Sequence, residues 1–471
     1  MKKKLTYNFT VNLIQVAVNQ FFALLIFFII SSYLSKDSFG SINLALAILM
    51  AMFNILGFGI DQLIIKKIAA GENPQLNLSL YCFHTLFWGC IFYGALVIGC
   101  CLQPALFYNY PVLLLLGLGK LAVYFSTPFK QAANGMERFG LLACMSVVSG
   151  VLRGCILLLY AFLHRVTPQV VIAVFIAGDI AELLVTVLAF SFKTKLLPRF
   201  QILFADYRRL LKEAMPQAGV VLITSALSRF DWIFIGLTLS ASRLAEYSFA
   251  YKLYEISTLP LLALAPLLIP RFTKMFSDGE FDTRAAQCLV RIEMIGAALI
   301  VLILNICWQP VIDLLTAGKY GRVNQYTIFI LSLSAPLIYL NNFYWTMYFA
   351  QGRLKMIFRS FVLSLCVNVA LDLALIPFFK NEGAAISVLF SLAAQYVFYL
   401  SQNELPGLNK SAGILFSCVA CSIAGIITAK LFFTGLAVAV LCSVALYFFL
   451  LLLTGQLKFL HKEKLALLLN W

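Results

Sequence analysis

Apolar runs of about 20 residues, each long enough to cross a bilayer as a helix, alternate along this chain with short polar breaks. The alternation predicts fourteen membrane helices, at 11–34, 41–65, 76–101, 110–133, 141–163, 170–192, 217–239, 248–270, 292–315, 325–350, 357–378, 383–402, 411–430 and 435–456. Twelve is the alternative count, reached if the two runs after Lys410 are set aside. Either way the expected fold class is an all-α integral membrane protein.

One polar interruption is longer than the rest: Lys193 to Pro216, KTKLLPRFQILFADYRRLLKEAMP. It carries Lys193, Lys195, Arg199, Arg208, Arg209 and Lys212 against Asp206 and Glu213. Phe200, Leu203, Phe204, Tyr207 and Leu211 fall at three- and four-residue spacing, which predicts an amphipathic helix lying on the membrane surface. A solvated linker is the other reading.

The segments flanking this stretch repeat. Leu34–Ala45, LSKDSFGSINLA, matches Leu239–Ala250, LSASRLAEYSFA, at a shift of 205 residues, and the same shift lays Lys66 on Arg271. ANGMERF from Ala133 matches AQGRLKM from Ala350 at a larger shift. The expected organisation is an N-lobe at 1–192, a basic cytoplasmic linker at 193–216, a C-lobe at 217–402, and two further helices with a tail at 403–471. Six helices per copy is an even number, so both lobes run the same way and relate by a pseudo-twofold along the membrane normal.

Composition narrows the class. With 62% hydrophobic and 12% charged residues and a mean hydropathy of +0.93, the chain departs far from soluble globular averages. A net charge of +15 could point to nucleic acid, but there is no soluble face on which to gather it. Instead roughly two thirds of the Lys and Arg fall in segments on one side, which predicts cytoplasmic N- and C-termini. On that side the basic stretch would meet anionic inner-leaflet lipids, at about 1 kcal/mol per cation. Met1-Lys2-Lys3-Lys4 resembles the start of a signal peptide, but the run it precedes spans on its own and has no small-residue cleavage site. Nearly all of the twelve cysteines sit in or at the ends of apolar runs as small hydrophobes, and no pair has zinc-ligand spacing.

Charges inside predicted helices are the candidate chemistry, since each costs several kcal/mol unless it faces a bundle interior or water. Lys120, Arg153 and Arg229 lie on three helices drawn from both copies and suit an anionic group such as a diphosphate, for which a point charge and planar forks are the fitting donors. Interhelical ion pairing is the alternative for each. Asp179, Glu182 and Asp231 are candidates for coupling to protons or sodium; Asp61 and Asp372 are further intramembrane acids, and Lys252 with Glu255 reads as an internal pair. Asn8, Asn12, Gln15 and Asn19 share one side of the first helix, either lining a wet cavity where amides meet sugar hydroxyls or bonding between helices. Pro128, Pro260, Pro266 and Pro336 are expected to kink their helices. His84, His164 and His461 are scattered, no phosphate loop is present, and no long loop could house an active site, so no catalytic residues, metal or cofactor are expected.

LSKDSFGSINLALAI from Leu34, FGIDQLIIKKIAAG from Phe58, AEYSFAYKLYEISTLPLLALAPLLIPRFTKM from Ala245 and FKNEGAAISVLFS from Phe379 together resemble the polysaccharide-transporter branch of the MOP superfamily, the Wzx-type O-antigen flippases. These are relatives of the lipid II flippase MurJ and, more distantly, of MATE exporters. The resemblance spans roughly residues 8–402. It implies a MOP-like, two-lobed flippase of a bacterial inner membrane that passes an undecaprenyl-diphosphate-linked oligosaccharide from the inner to the outer leaflet by alternating access, alongside polysaccharide polymerase and chain-length proteins. The first helix has amides and no cation, which departs from lipid II flippases, and no acid, which departs from MATE exporters. A MATE-like exporter and a membrane glycosyltransferase or polymerase are the alternatives.

Overall fold

The structure, a computed structural model, describes residues 2–102, 111–199, 204–259, 268–269, 271–276, 283–403, 410–432 and 435–457; the side chains of residues 2–10, 12 and 13 also lie outside the described set. Within it the chain is helical and contains no strand. Twelve of the described helices are long and apolar enough to cross a membrane. The chain divides into two compact units, Met1–Ala245 and Glu246–Trp471, a boundary that falls well past the basic stretch.

The first unit holds α1 (Lys2–Tyr33), α2 (Lys36–Leu56), α3 (Ile60–Ala69), α4 (Pro74–Leu102), α5 (Pro111–Gly135), α6 (Phe139–Phe162), α7 (Pro168–Thr194), α8 (Phe204–Thr238) and the start of α9 (Ala241–Ser257). Helix α5 packs on α7, α4, α2 and α3, while α1 packs on α6 and α6 on α7. The predicted helix 41–65 is two helices. Phe58 and Gly59 have φ of 53° and 70°, and a Cβ on Gly59 would stand 2.6 Å from that of Gln217, so α8 crosses where only glycine fits.

The basic stretch also differs from expectation. Helix α8 starts at Phe204 and runs through Pro216 without a break to Thr238. Its inward face is Tyr207, Leu210 and Ala214, buried among Ile60, Ile64, Tyr81 and Phe190. Phe204 is 77% exposed, and Phe200 and Leu203 lie outside the described residues. Of the predicted apolar stripe, Tyr207 and Leu211 thus pack against the protein's own α3 and α4, while Phe204 stays exposed.

The second unit continues with α10 (Thr283–Thr316), α11 (Gln325–Ala350), α12 (Leu354–Ser401), α13 (Ser411–Phe432) and α14 (Leu436–Leu453). Helix α11 packs on α10 and α12, and α13 and α14 pack on α10. Although its helical run is continuous, α12 reverses at Lys380 (φ 53°, ψ −128°). A Cβ on Gly383 would lie 2.6 Å from the Leu375 carbonyl oxygen, so the two predicted helices 357–378 and 383–402 stand as a hairpin. The predicted helix 248–270, with Pro260 and Pro266, is described only through residue 259 and at 268–269. Pro128 and Pro336 do lie inside α5 and α11.

Hydrogen bonding carries the repeat. Ser35 Oγ accepts from Ser38 N and its carbonyl from Phe39 N; 205 residues on, Ser240 accepts from Arg243 N and Leu244 N in the same way. At the second match, Met136, Glu137 and Arg138 donate to Ala132, Asn134 and Ala133, just as Gln351, Gly352 and Arg353 donate to Met347, Phe349 and Tyr348. Arg138 is thus equivalent to Arg353, two residues off the register that pairing Gly135 with Gly352 predicts. The left-handed position is occupied by Glu137 in one copy and Gly352 in the other, which misled the letter match.

Candidate functional site

Five charged side chains meet inside the first unit. Lys120 and Lys130 come from α5, Arg153 from α6, and Asp179 and Glu182 from α7. Asp179, only 1% exposed, pairs with the Arg153 guanidinium through Oδ1 and has the Lys120 ammonium 3.3 Å from Oδ2. Glu182 pairs with Lys130.

Small residues make this possible. A Cβ on Gly119 would come within 2.8 Å of Asp179 Oδ2, and one on Gly178 within 2.6 Å of Arg153 Cγ and 2.8 Å of its Nε. The two glycines let the carboxylate press against α5 and the arginine stem lie across α7. The guanidinium also stacks 4.7 Å above the Phe175 ring, which orients the fork. Its buried Nε has no hydrogen-bond partner, so the fork keeps a spare donor.

Three cations face two carboxylates, which leaves the cluster one positive charge in excess. In a low dielectric such an excess favours an anion nearby. Lys120 also borders a cavity of about 230 Å³ with Asn54, Asp61, Tyr81, Tyr124 and Thr127. Tyr81 donates to Asp61 there, and the buried Tyr124 hydroxyl has no partner.

The predicted residues thus divide. Lys120 and Arg153 converge, on the carboxylate of Asp179, itself singled out as a coupling candidate. Arg229 is elsewhere: on α8 it stacks 4.6 Å over the Trp232 ring, two residues along the helix from the buried Asp231, which accepts from Trp232 N at 2.8 Å. Of the amide stripe, Gln15 has a buried oxygen without a partner and Asn19 lies beside Gly150 of α6. The side chains of Asn8 and Asn12 lie outside the described residues. Lys252 and Glu255 pair at 2.6 Å, as their spacing predicts.

One member of the cluster, Lys130, does not stand out in the sequence. Lys130 looks like a helix-end cation of the positive side, and only its distance of ten residues along α5 from Lys120 hints at a shared role. Apart from this cluster, in the second unit, Glu293 on α10 sits at the edge of a predicted helix, yet it is buried and neither carboxylate oxygen has a partner. Among the described residues no group of three or more His, Cys, Asp or Glu could hold a metal, and the cysteines are unpaired.

The sequence matches the family described as polysaccharide biosynthesis protein over residues 5–276, more than half of the 471-residue chain. No curated protein matches it. Among solved structures, the lipid II flippase MurJ in an inward closed conformation is similar at a TM-score of 0.74 and 12% identity, covering 96% of this chain and 99% of that one. A multidrug resistance MATE family transporter of the MOP superfamily, inward-facing, gives 0.64 and 13%, covering 85% and 98%. A Vibrio cholerae MATE transporter gives 0.59 and 14%, covering 88% and 98%. At these identities the likeness is one of fold: a multi-pass, MOP-like helical membrane protein.

Proposed function

Because the chain belongs to the polysaccharide biosynthesis protein family, we propose that it is a flippase that carries undecaprenyl-diphosphate-linked oligosaccharide from the inner to the outer leaflet of a bacterial cytoplasmic membrane by alternating access. One observation carries the assignment of its anion site: two cations from different helices, Lys120 and Arg153, converge on a single buried carboxylate. A phosphate oxygen can make the contacts that Asp179 Oδ1 and Oδ2 make, and the unused Arg153 Nε can take a second oxygen. Arg229 is the third cation of this reading, with its guanidinium held ready by Trp232. The amides Asn8, Asn12, Gln15 and Asn19 would meet sugar hydroxyls or cavity water.

Asp179 then has two roles. It keeps the cations charged and oriented while no cargo is bound, and it is displaced or protonated when the diphosphate arrives. Glu182, held by Lys130, and Asp231 are the other carboxylates able to couple transport to protons or sodium. With three cations and a membrane potential worth about 2.3 kcal/mol per charge per 100 mV, outward movement of a polyanion is favoured.

The test is genetic. In a strain lacking the protein, the wild-type gene restores surface polysaccharide, and Lys120→Ala with Arg153→Ala at equal protein level does not. Full restoration by that double variant sinks the assignment, and restored drug resistance without polysaccharide would favour an exporter.

A further inference from the structure

In the second unit, three helix ends meet at one face: the end of α11, the start of α12, and the end of α12 after its reversal at Lys380. They enclose a groove of about 700 Å³ lined by Arg353, Lys355, Arg359 and Gln402, with Leu354 and Phe398 as its apolar part. Lys355 and Arg359 are exposed and four residues apart, so they share a side of α12. Arg353 stands at the N-cap, where its side chain accepts nothing from the first turn, and an arginine there cannot cap. The amides of Leu354, Met356 and Ile357 are taken by the Gly352 and Arg353 carbonyls, so it is the three side-chain cations that the groove offers an anion.

The equivalent turn of the first unit does not have this character. By the shared hydrogen-bond pattern, Gly352, Arg353, Lys355 and Arg359 correspond to Glu137, Arg138, Gly140 and Cys144. There Glu137 and Arg138 cancel in charge, and Arg138 donates to the Lys193 carbonyl at 2.6 Å. One backbone turn thus exists in a neutral and a strongly cationic version, so the fold does not require the charge. A bias of cations toward the cytoplasm accounts for basic loops but not for a groove around them.

The rim decides the kind of anion. Leu354 is 57% exposed and Phe358 42%, directly beside the cations. A soluble anion has no use for that apolar lip, whereas a lipid places its phosphate among the cations and its chain along the lip. We infer that this groove binds the phosphate head group of an anionic membrane lipid, either bulk phospholipid or a polyprenyl diphosphate on its way to be flipped. The inference concerns a site separate from Lys120 and Arg153 and holds whether or not those residues bind cargo.

The test is native mass spectrometry of the full-length protein in detergent, titrated with phosphatidylglycerol, phosphatidylcholine or undecaprenyl diphosphate. The wild type should retain phosphatidylglycerol at least tenfold better than the zwitterionic lipid. Arg359→Gln alone should weaken it roughly fivefold, and Arg353→Gln, Lys355→Gln and Arg359→Gln together on the order of 100-fold. A control with equal charge removed outside both the groove and the basic stretch, at the exposed Arg165→Gln, Arg322→Gln and Lys430→Gln, should bind as the wild type does. Displacement of phosphatidylglycerol by undecaprenyl diphosphate assigns the groove to the diphosphate lipid, and failure to displace assigns it to bulk phospholipid; both uphold it. Equal binding by the triple variant, an equal loss in the control, or no preference over phosphatidylcholine overturns it.

Discussion

The Tyr207 hydroxyl and the His84 Nδ1 meet at 2.9 Å across 123 residues of sequence, and their neighbours fix which of them donates. Trp88 Nε1, which can only donate, points at the same Tyr207 oxygen at 3.1 Å. The tyrosine therefore gives its proton to Nδ1, and Nε2–H of a neutral imidazole gives its own to the Leu56 carbonyl at 2.7 Å. This chain fastens the basic start of α8 to α4 and to the end of α2. Tyr207→Phe leaves the Trp88 N–H and His84 Nδ1 unpaired and is expected to destabilise the protein by about 1–3 kcal/mol. Thermal unfolding in detergent measures it; an unchanged midpoint would show that the contact does not hold α8.

The buried cluster predicts strong coupling. Removing Asp179 alone strands two cations in a dry interior, a loss on the order of 3–5 kcal/mol. A double-mutant cycle of Arg153→Gln and Asp179→Asn should show the pair costing less than the sum of the singles by at least about 1 kcal/mol. Additive losses would mean that the two side chains do not interact in the folded protein.

Glycine positions test the geometry without touching a charge. Gly119→Ala and Gly178→Ala push a methyl against Asp179 and Arg153, respectively, and should impair polysaccharide export, while Gly94→Ala, which meets nothing within 4 Å, should not. Export quantified at matched protein levels decides it, and wild-type export from Gly178→Ala would contradict the close crossing.

Lys67 and Glu213, outside the predicted spans, pair at 2.8 Å, with Glu72 also 3.3 Å from the ammonium. The Lys67 hydrogen bond, stronger than the opposing effect of burial, holds the Glu213 carboxyl below the usual carboxylate range. Burial pulls Lys67 down, but the bonds from Glu213 and Glu72 outweigh it and raise the ammonium above its ordinary value. Glu213 thus stabilises above its unfolded pKa of about 4.3 and loses this as pH falls through its lower folded value. Lys67 stabilises below about 10.4 and loses this as pH rises through its higher folded value. The destabilisation caused by Glu213→Gln should therefore be constant between about pH 6 and 9 and shrink below about pH 4. A strong dependence across neutral pH, measured by unfolding of both proteins, would contradict the pairing.

Periodicity made the helices legible, and the letter match at a shift of 205 residues made one repeat legible; in the structure Ser35 and Ser240 cap the helix starts at that match. Three features stayed hidden because they depend on what a residue meets. The break at Phe58 and Gly59 follows from α8 crossing there, and the inward face of α8 is chosen by α3 and α4. Asp179 and its cations were visible as charges in apolar runs, but their joining needs the packing of α5, α6 and α7, which no spacing within one helix encodes.

The central claim, that Lys120 and Arg153 hold the diphosphate, is tested most directly by transbilayer movement of a fluorescent undecaprenyl-diphosphate oligosaccharide in proteoliposomes. Wild-type protein should accelerate it, and Lys120→Gln with Arg153→Gln should reduce the rate at least tenfold while thermal stability shows the variant folded. Equal rates for the two proteins would contradict the claim.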